Sequence, residues 1–321
     1  MEKKKRAALF NIIKIAVSVS MLAYVLYRAN LRKLASVVAE ARWGFLAVAG
    51  LLAIAGVALR AVRWLALLRS LEIDVPLVRL VKLYFVGSFF NAFLPSGFGG
   101  DAIRMMELAR HSKKTPEAIG TVLVDRANGL WVLFILGLLA LPFASRHMPS
   151  QMVLLLAAVS AAVVVGGWVV MGTGLVPWLG SRIKLPGQVK LERFYRAISG
   201  CGTVALAQAS AVSLIFNLMD ITVNYLIALG LNVDLPFGIF FAFAPILSAS
   251  LLLPSIGGLG VRETANMVLY GTVDVGDTPA TAMGLAQYGV KTLVPGLIGG
   301  LLYAIEGARE LRGQPQSELQ E

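Results

Sequence analysis

Asn91-Ala-Phe-Leu-Pro-Ser-Gly-Phe-Gly-Gly-Asp-Ala-Ile-Arg104 interrupts one apolar segment of the chain, and Leu252-Leu-Pro-Ser-Ile-Gly-Gly-Leu-Gly-Val-Arg-Glu263 interrupts another. Both stretches read Leu-Pro-Ser, then a cluster of glycines, then an arginine. Pro95 and Pro254 cannot donate a backbone hydrogen bond, and the glycines that follow let the chain turn sharply. The arm from Val81 to Leu94 covers roughly 21 Å at 1.5 Å per residue, short of the roughly 30 Å hydrocarbon core of a bilayer. Segments 80–110 and 236–271 therefore read as re-entrant helical hairpins. Broken backbone at membrane depth is tolerated only where protein or a wet cavity satisfies its polar groups. The two turns are expected to meet near the centre of the protein.

The rest of the chain supplies the membrane setting. Hydrophobic residues make up 57% and charged residues 15% of 321 positions, far from the balance of a soluble domain. Runs of the length and apolarity a transmembrane helix needs recur at 9–27, 43–68, 118–141, 152–171, 203–230 and 281–304. The first follows Lys3, Lys4, Lys5 and Arg6 but is too long, and too far from a small-residue cleavage site, for a signal peptide, so it reads as a retained anchor. Cys201 is the single cysteine and excludes an internal disulfide.

A net charge of +11 is compatible with nucleic-acid binding, yet the basic residues cluster beside the spans, so no nucleic-acid partner is expected. Arg60, Arg63, Arg69, Arg79 and Lys82 lie at and after the end of the second span, Arg110, Lys113 and Lys114 precede the next, and Arg182, Lys184, Lys190, Arg193 and Arg196 mark the longest loop. By the positive-inside rule all of these face the cytoplasm with the N-terminus. Arg28, Arg32, Lys33 and Arg42 strain the rule and fit an interfacial amphipathic helix, with Leu31, Leu34, Val37 and Val38 on one face. The first hairpin then opens to the cytoplasm. The second, flanked by Asp234, Asp274 and Asp277 without Lys or Arg, opens to the outside.

The predicted fold is an all-α integral membrane protein with about six full transmembrane helices and two re-entrant hairpins. A polytopic domain spans 1–305, with a span-hairpin-span unit at 43–141 repeated inverted at 203–304, and 306–321 form a short polar tail. The expected location is the cytoplasmic (inner) membrane, with both termini cytoplasmic. Inverted repeats of discontinuous helices with binding at the midplane are the usual plan of secondary transporters.

Ionisable side chains within membrane segments are functional candidates by default, since each costs about 2.5 to 3.5 kcal/mol on insertion scales. Asp101 and Arg104 follow the first turn at i, i+3 spacing and share a helix face. Arg262 and Glu263 follow the second, Asp125 and Arg126 begin the next span, Asp220 lies mid-span near Asn217 and Asn224, and Lys291 sits near the middle of the last span. Half-helices after each turn point positive N-termini inward, where anions are welcome. The candidate substrate-binding set is Ser96, Gly99, Gly100, Asp101, Arg104, Asp125, Arg126, Ser255, Gly257, Gly258, Arg262, Glu263 and Lys291. An arginine fork matches phosphate geometry, so a lipid phosphate is the expected guest. The carboxylates would balance the cations or carry protons. Asp125, Arg126 and Asp101 equally have structural readings as ion pairs or helix-dipole complements. Arg60 and Arg63 are expected to snorkel to the interface, and His111 and His147 to be solvated.

Phe93-Leu-Pro-Ser-Gly-Phe-Gly-Gly-Asp-Ala-Ile-Arg104, with Val124-Asp-Arg126 and Leu253-Pro-Ser-Ile-Gly-Gly-Leu-Gly260, resembles the lysylphosphatidylglycerol synthase transmembrane-region family over nearly the whole chain. That resemblance implies a flippase-like membrane domain, which in bifunctional members accompanies a soluble aminoacyltransferase. The polar residues after Leu311 are too few for such a domain, so translocation without synthesis is expected, of an anionic phospholipid or a lipid-linked intermediate. The alternatives are a lipid-modifying membrane enzyme and a non-catalytic partner of a lipid-synthesis enzyme. Pro95-Ser-Gly resembles the start of a phosphatase motif, but Phe98 stands where its histidine would be. No catalytic residue, metal-ligand spacing or cofactor motif is found, and no cofactor is expected. Single cysteines replacing Lys82 and Lys113, in a chain without Cys201, should both be labelled from the cytoplasmic side by an impermeant maleimide. Labelling from opposite sides excludes the re-entrant reading.

Overall fold

The computed structural model describes residues 36–37, 39–93, 99–111, 115–172, 188–253, 255 and 257–311. The predicted span at 9–27, the stretch around Leu31 and Leu34, the turn holding Pro95 and Ser96, Lys113 and residues 312–321 of the polar tail lie outside them, while residues 306–311 of that tail continue the last helix, Val294–Leu311. Among the described residues, five helices are long and apolar enough to cross a membrane: Trp43–Ser70, Ile119–His147, Ser150–Val170, Ser199–Gly230 and Asp277–Ile305. They coincide with the five predicted spans that the described residues cover, and no strand occurs among those residues. The chain is an all-α, multi-pass membrane protein.

Helix α1 is Trp43–Ser70, followed by the first broken pair, α2 (Leu77–Phe93) and α3 (Gly99–His111). Next come α4 (Thr115–Ala144), α5 (Ser150–Gly172) and α6 (Gln188–Gly230), the last kinked at Gly202. The second broken pair is α7 (Phe237–Ser250) and α8 (Val261–Gly271), and α9 (Asp277–Tyr288) leads through a π turn, Gly289–Leu293, into α10 (Val294–Leu311). Pro295 explains the π turn: with no N–H it cannot bond the Lys291 carbonyl four residues back, so the ladder changes register there.

Both broken pairs are antiparallel hairpins. In the first, the Gly100 N–H donates to Asn91 Oδ1 at 2.7 Å, and Gly87 and Gly100 approach so closely that a Cβ on Gly100 would overlap the Gly87 carbonyl. In the second, Phe243 packs edge-on against Tyr270 with ring centroids 5.2 Å apart. Their helices of 17, 13, 14 and 11 residues reach at most roughly 26 Å at 1.5 Å per residue, less than the hydrocarbon thickness. Gly257 opens the second turn with φ +60°, and a Cβ there would stand 2.9 Å from the Ala92 carbonyl oxygen. The second turn thus rests against the end of α2.

The halves also pack reciprocally. Helices α1 and α6 form the most extensive helix pair, with Gly56 receiving Phe216 and Met219. Helix α10 lies on α2, its Gly296, Gly299 and Gly300 facing Ser88, Phe85 and Phe89, while α4 lies on α7 with Gly137 facing Pro245. Small residues permit this approach, and dispersion supplies the attraction between helices that lipid already solvates. One buried apolar cluster gathers Phe240, Phe243, Tyr270 and Met283 in the second half, and another gathers Trp64, Leu68, Leu80 and Leu108 in the first. Leu139, Phe143, Leu154 and Val204 remain exposed, as lipid-facing residues should.

Gly299→Ala should lower the thermal midpoint in detergent, since its Cβ would overlap the Phe85 carbonyl and overpacking costs about 1–3 kcal/mol. Gly50→Ala, with nothing within 4 Å of the new methyl, should leave the midpoint unchanged or raise it.

Candidate functional site

Helix α3 begins at Gly99, so Asp101 lies in its first turn and Arg104 one turn later on the same face, with Arg104 Nη1 3.2 Å from Asp101 Oδ1. The Arg104 guanidinium lies between the rings of Trp64 and Tyr84, 4.2 and 3.7 Å from their centroids. Its Nη2 donates to the Tyr84 hydroxyl at 2.8 Å and to Asp125 Oδ2 at 3.1 Å. Asp125, on α4, receives Arg63 Nε on its other oxygen at 2.6 Å and also accepts from the Tyr84 hydroxyl. Arg63 Nη1 donates to Ser213 Oγ at 3.2 Å, Ser213 donates to Asn128 Oδ1 at 2.7 Å, and the Asn128 amide donates to Ser210 at 2.8 Å. Five helices, α1, α2, α3, α4 and α6, are thereby joined by one polar network. Asp125 and Arg104 are 1% and 4% exposed, a burial that charges withstand only when paired and hydrogen-bonded. Arg126 Nε lies 2.7 Å from Asp101 Oδ2, at the wetter edge of the network.

The second half is wired more loosely. Lys291, carried on the π turn, places Nζ 2.8 Å from Asp220 Oδ2 and 3.3 Å from Asn224 Oδ1. Arg262 Nη2 donates to Thr292 Oγ1 at 3.2 Å, while its Nη1 is buried without a partner among the described residues. Glu263 accepts from the Gly260 N–H at 2.6 Å through Oε2, and its Oε1 is likewise buried without a partner among those residues. Asn266 donates to Gln287 Oε1 at 3.1 Å and pins α8 to α9. Ser255 is buried with its hydroxyl 3.4 Å from the Leu253 carbonyl, and Gly258 lies beside the Arg262 guanidinium. Arg60 links the halves: its guanidinium stands 5.4 Å from the ring centroids of both Tyr84 and Phe216, and it lies within coulombic reach of Arg63, Arg104 and Asp220.

Of the candidates from sequence, the structure gathers Asp101, Arg104, Asp125 and Arg126 around the first hairpin, beside Gly99 and Gly100. It gathers Ser255, Gly257, Gly258, Arg262, Glu263 and Lys291 around the second, and Ser96 lies outside the described residues. Asp125 and Arg126 are adjacent yet turn to different partners, because successive helical residues diverge by about 100°. The expectation that Arg60 and Arg63 snorkel is corrected. Arg63 is 4% exposed, because it falls on the face of α1 that meets Asp125 and Ser213 and pairing offsets its desolvation. A signal was present: Arg60, Arg63 and Trp64 share a face at i, i+3, i+4, an unusual density of cation and aromatic for a helix end. Tyr84 was not legible, since a tyrosine in an apolar helix is ordinary. The half-helix N-termini differ from expectation too: Asn91 accepts from Gly100, and Glu263 accepts from Gly260, so the chain's own acceptors occupy N–H groups that an anion would use.

A multi-pass helical membrane protein whose broken hairpins enclose paired and unpaired charges is the class that this geometry defines. The family model of the lysylphosphatidylglycerol synthase transmembrane region matches residues 11–299, and the chain belongs to that family. It is also similar to the UPF0104 membrane protein PH1989 of Pyrococcus horikoshii, at 21% identity over 90% of this chain and 95% of that protein.

Asp125→Ala strands two buried guanidiniums and should destabilise the protein by about 3–5 kcal/mol, read as a lowered midpoint in detergent unfolding. Arg126→Gln removes a part-exposed pair and should cost no more than about 1 kcal/mol.

Proposed function

We propose that the chain is a flippase-like transporter that moves an anionic phospholipid, or a phosphate-bearing lipid-linked intermediate, across the cytoplasmic membrane. The observation that carries this reading is the concentration of charge on and beside the two hairpins. Arg60, Arg63, Arg104, Arg126, Arg262 and Lys291 outnumber Asp101, Asp125, Asp220 and Glu263 there. Uncompensated guanidinium inside a membrane protein has a natural complement in a phosphate diester, whose oxygens accept from an arginine fork. The acyl chains can stay in lipid along exposed faces such as Leu297 and Leu301 of α10.

An inverted repeat of residues 43–141 and 203–304 gives such a site access from each side in turn, by rocking one half against the other. Three contacts support it: α10 packs on α2 and α4 packs on α7, the exchange a pseudo-two-fold produces, and Gly257 of the second turn meets Ala92 at the end of α2. Membership of the family supports the membrane setting. Cytoplasmic termini follow from the flanking Lys and Arg. A lipid-synthesis enzyme is the partner that would supply the cargo, and the chain itself transports without altering it.

The test is reconstitution into liposomes with a fluorescent phosphatidylglycerol in both leaflets, followed by an impermeant quencher. The expected result is loss of inner-leaflet signal in the presence of the protein, with the lipid's mass unchanged. Quenching confined to the outer leaflet, for anionic and lipid-linked probes alike, overturns the reading, and a changed mass points to an enzyme. Arg262→Gln should slow transport roughly tenfold or more, the worth of a charge-assisted hydrogen bond.

A further inference from the structure

The two halves hold their carboxylates differently. Asp125 is 1% exposed and saturated by Arg63, Arg104 and Tyr84. The Asp220 side chain is 20% exposed and is bound by Lys291 alone among the described residues, through one oxygen. Two further cations lie near Asp220: Arg60 stands over the ring of Phe216, one helical turn before Asp220, and Arg262 donates to Thr292, the residue after Lys291; neither has a carboxylate at ion-pair distance among the described residues. Each also keeps an unspent buried donor, Nε on Arg60 and Nη1 on Arg262. Glu263 also lies near Arg262, but its Oε2 is held by the Gly260 N–H and it stands at ion-pair distance from no cation among the described residues. Asp220 is the carboxylate that Arg60, Arg262 and Lys291 have in common.

We infer that Asp220 is an exchangeable counter-ion, and that a phosphate-type anion binds among Arg60, Arg262 and Lys291 by taking its place. This deepens the transport reading by assigning headgroup binding to the second half, and leaves the saturated Arg63–Asp125–Arg104 network as its fixed support. A phosphate has enough oxygens to accept from both idle guanidinium donors and from the ammonium, whereas Asp220 reaches only the ammonium. When the phosphate leaves, Asp220 returns and keeps Lys291 from standing uncompensated, so neither state strands that charge. The π turn suits this exchange. It carries Lys291 on a helix whose ladder already changes register ahead of Pro295, so a shift of the ammonium disturbs a stretch that lacks regular α-helical bonding.

The experiment measures binding apart from transport, using the full chain in micelles of a neutral detergent titrated with dihexanoyl-phosphatidylglycerol or with inorganic phosphate. Asp220→Asn, which removes the competing charge, should bind the lipid roughly tenfold tighter, and Arg60→Gln and Lys291→Gln roughly tenfold weaker. Arg60→Lys should hold close to the unaltered chain, and Arg146→Gln, on an exposed turn, should match it. The same pattern at equal affinity with inorganic phosphate supports the site and identifies a free anion as its ligand, whereas much weaker phosphate binding identifies the lipid headgroup. Should Asp220→Asn not remain monodisperse, the contrast of Arg60→Gln with Arg60→Lys decides. Binding indifferent to both Arg60 and Asp220 overturns the inference even where liposomes show transport. The expected shifts without transport keep the site and remove the transport reading.

Discussion

Asp125 is the group on which the arrangement of the first half depends. Its carboxylate is held by guanidiniums from α1 and α3 and by a phenol from α2, so one pair of oxygens fixes the spacing of four helices counting its own. Between helices already solvated by lipid there is little hydrophobic drive to association. A buried ion network is demanding in that medium, because any partner that moves away leaves a charge with nowhere to go. The same demand makes the geometry specific: the first hairpin can sit only where Arg104 reaches Asp125 while lying between Trp64 and Tyr84.

Around this anchor, glycine decides where the backbones can close. The hairpin arms meet at Gly87 and Gly100, α10 meets α2 at Gly299, and the second turn meets α2 at Gly257. The last of these contacts sets the second turn against the end of α2, and N–H groups at the starts of the hairpins' second arms find partners in Asn91 and Glu263. The halves share a plan and differ in saturation. In each, a charge on the long first helix pairs with one on the last span, Arg63 with Asp125 and Asp220 with Lys291, with the signs exchanged. In each, the hairpin arginine turns to that last span, Arg104 to Asp125 and Arg262 to Thr292. The first set is sealed and the second is partly open, which divides the protein into a support and a part able to respond to an anion.

What the sequence by itself determined was whatever depends on local spacing. Leu-Pro-Ser stretches followed by glycine clusters set the hairpins, run length set the five described spans, and the i, i+3 interval set the Asp101–Arg104 contact. Only the tertiary structure decided the pairing of the charges. Arg63 finds Asp125 at a separation of 62 residues and Ser213 at 150, distances over which no periodicity carries information. The sequence therefore named ionisable residues inside the membrane and left open which would be neutralised, and it read Arg60 and Arg63 as interfacial because a basic residue near a helix end ordinarily reaches water. Packing of α1 against α6 turned both inward instead. Whether a buried charge is spent on structure or kept for a ligand depends on what lies opposite it, and that is fixed only once helices distant in the chain have come into contact.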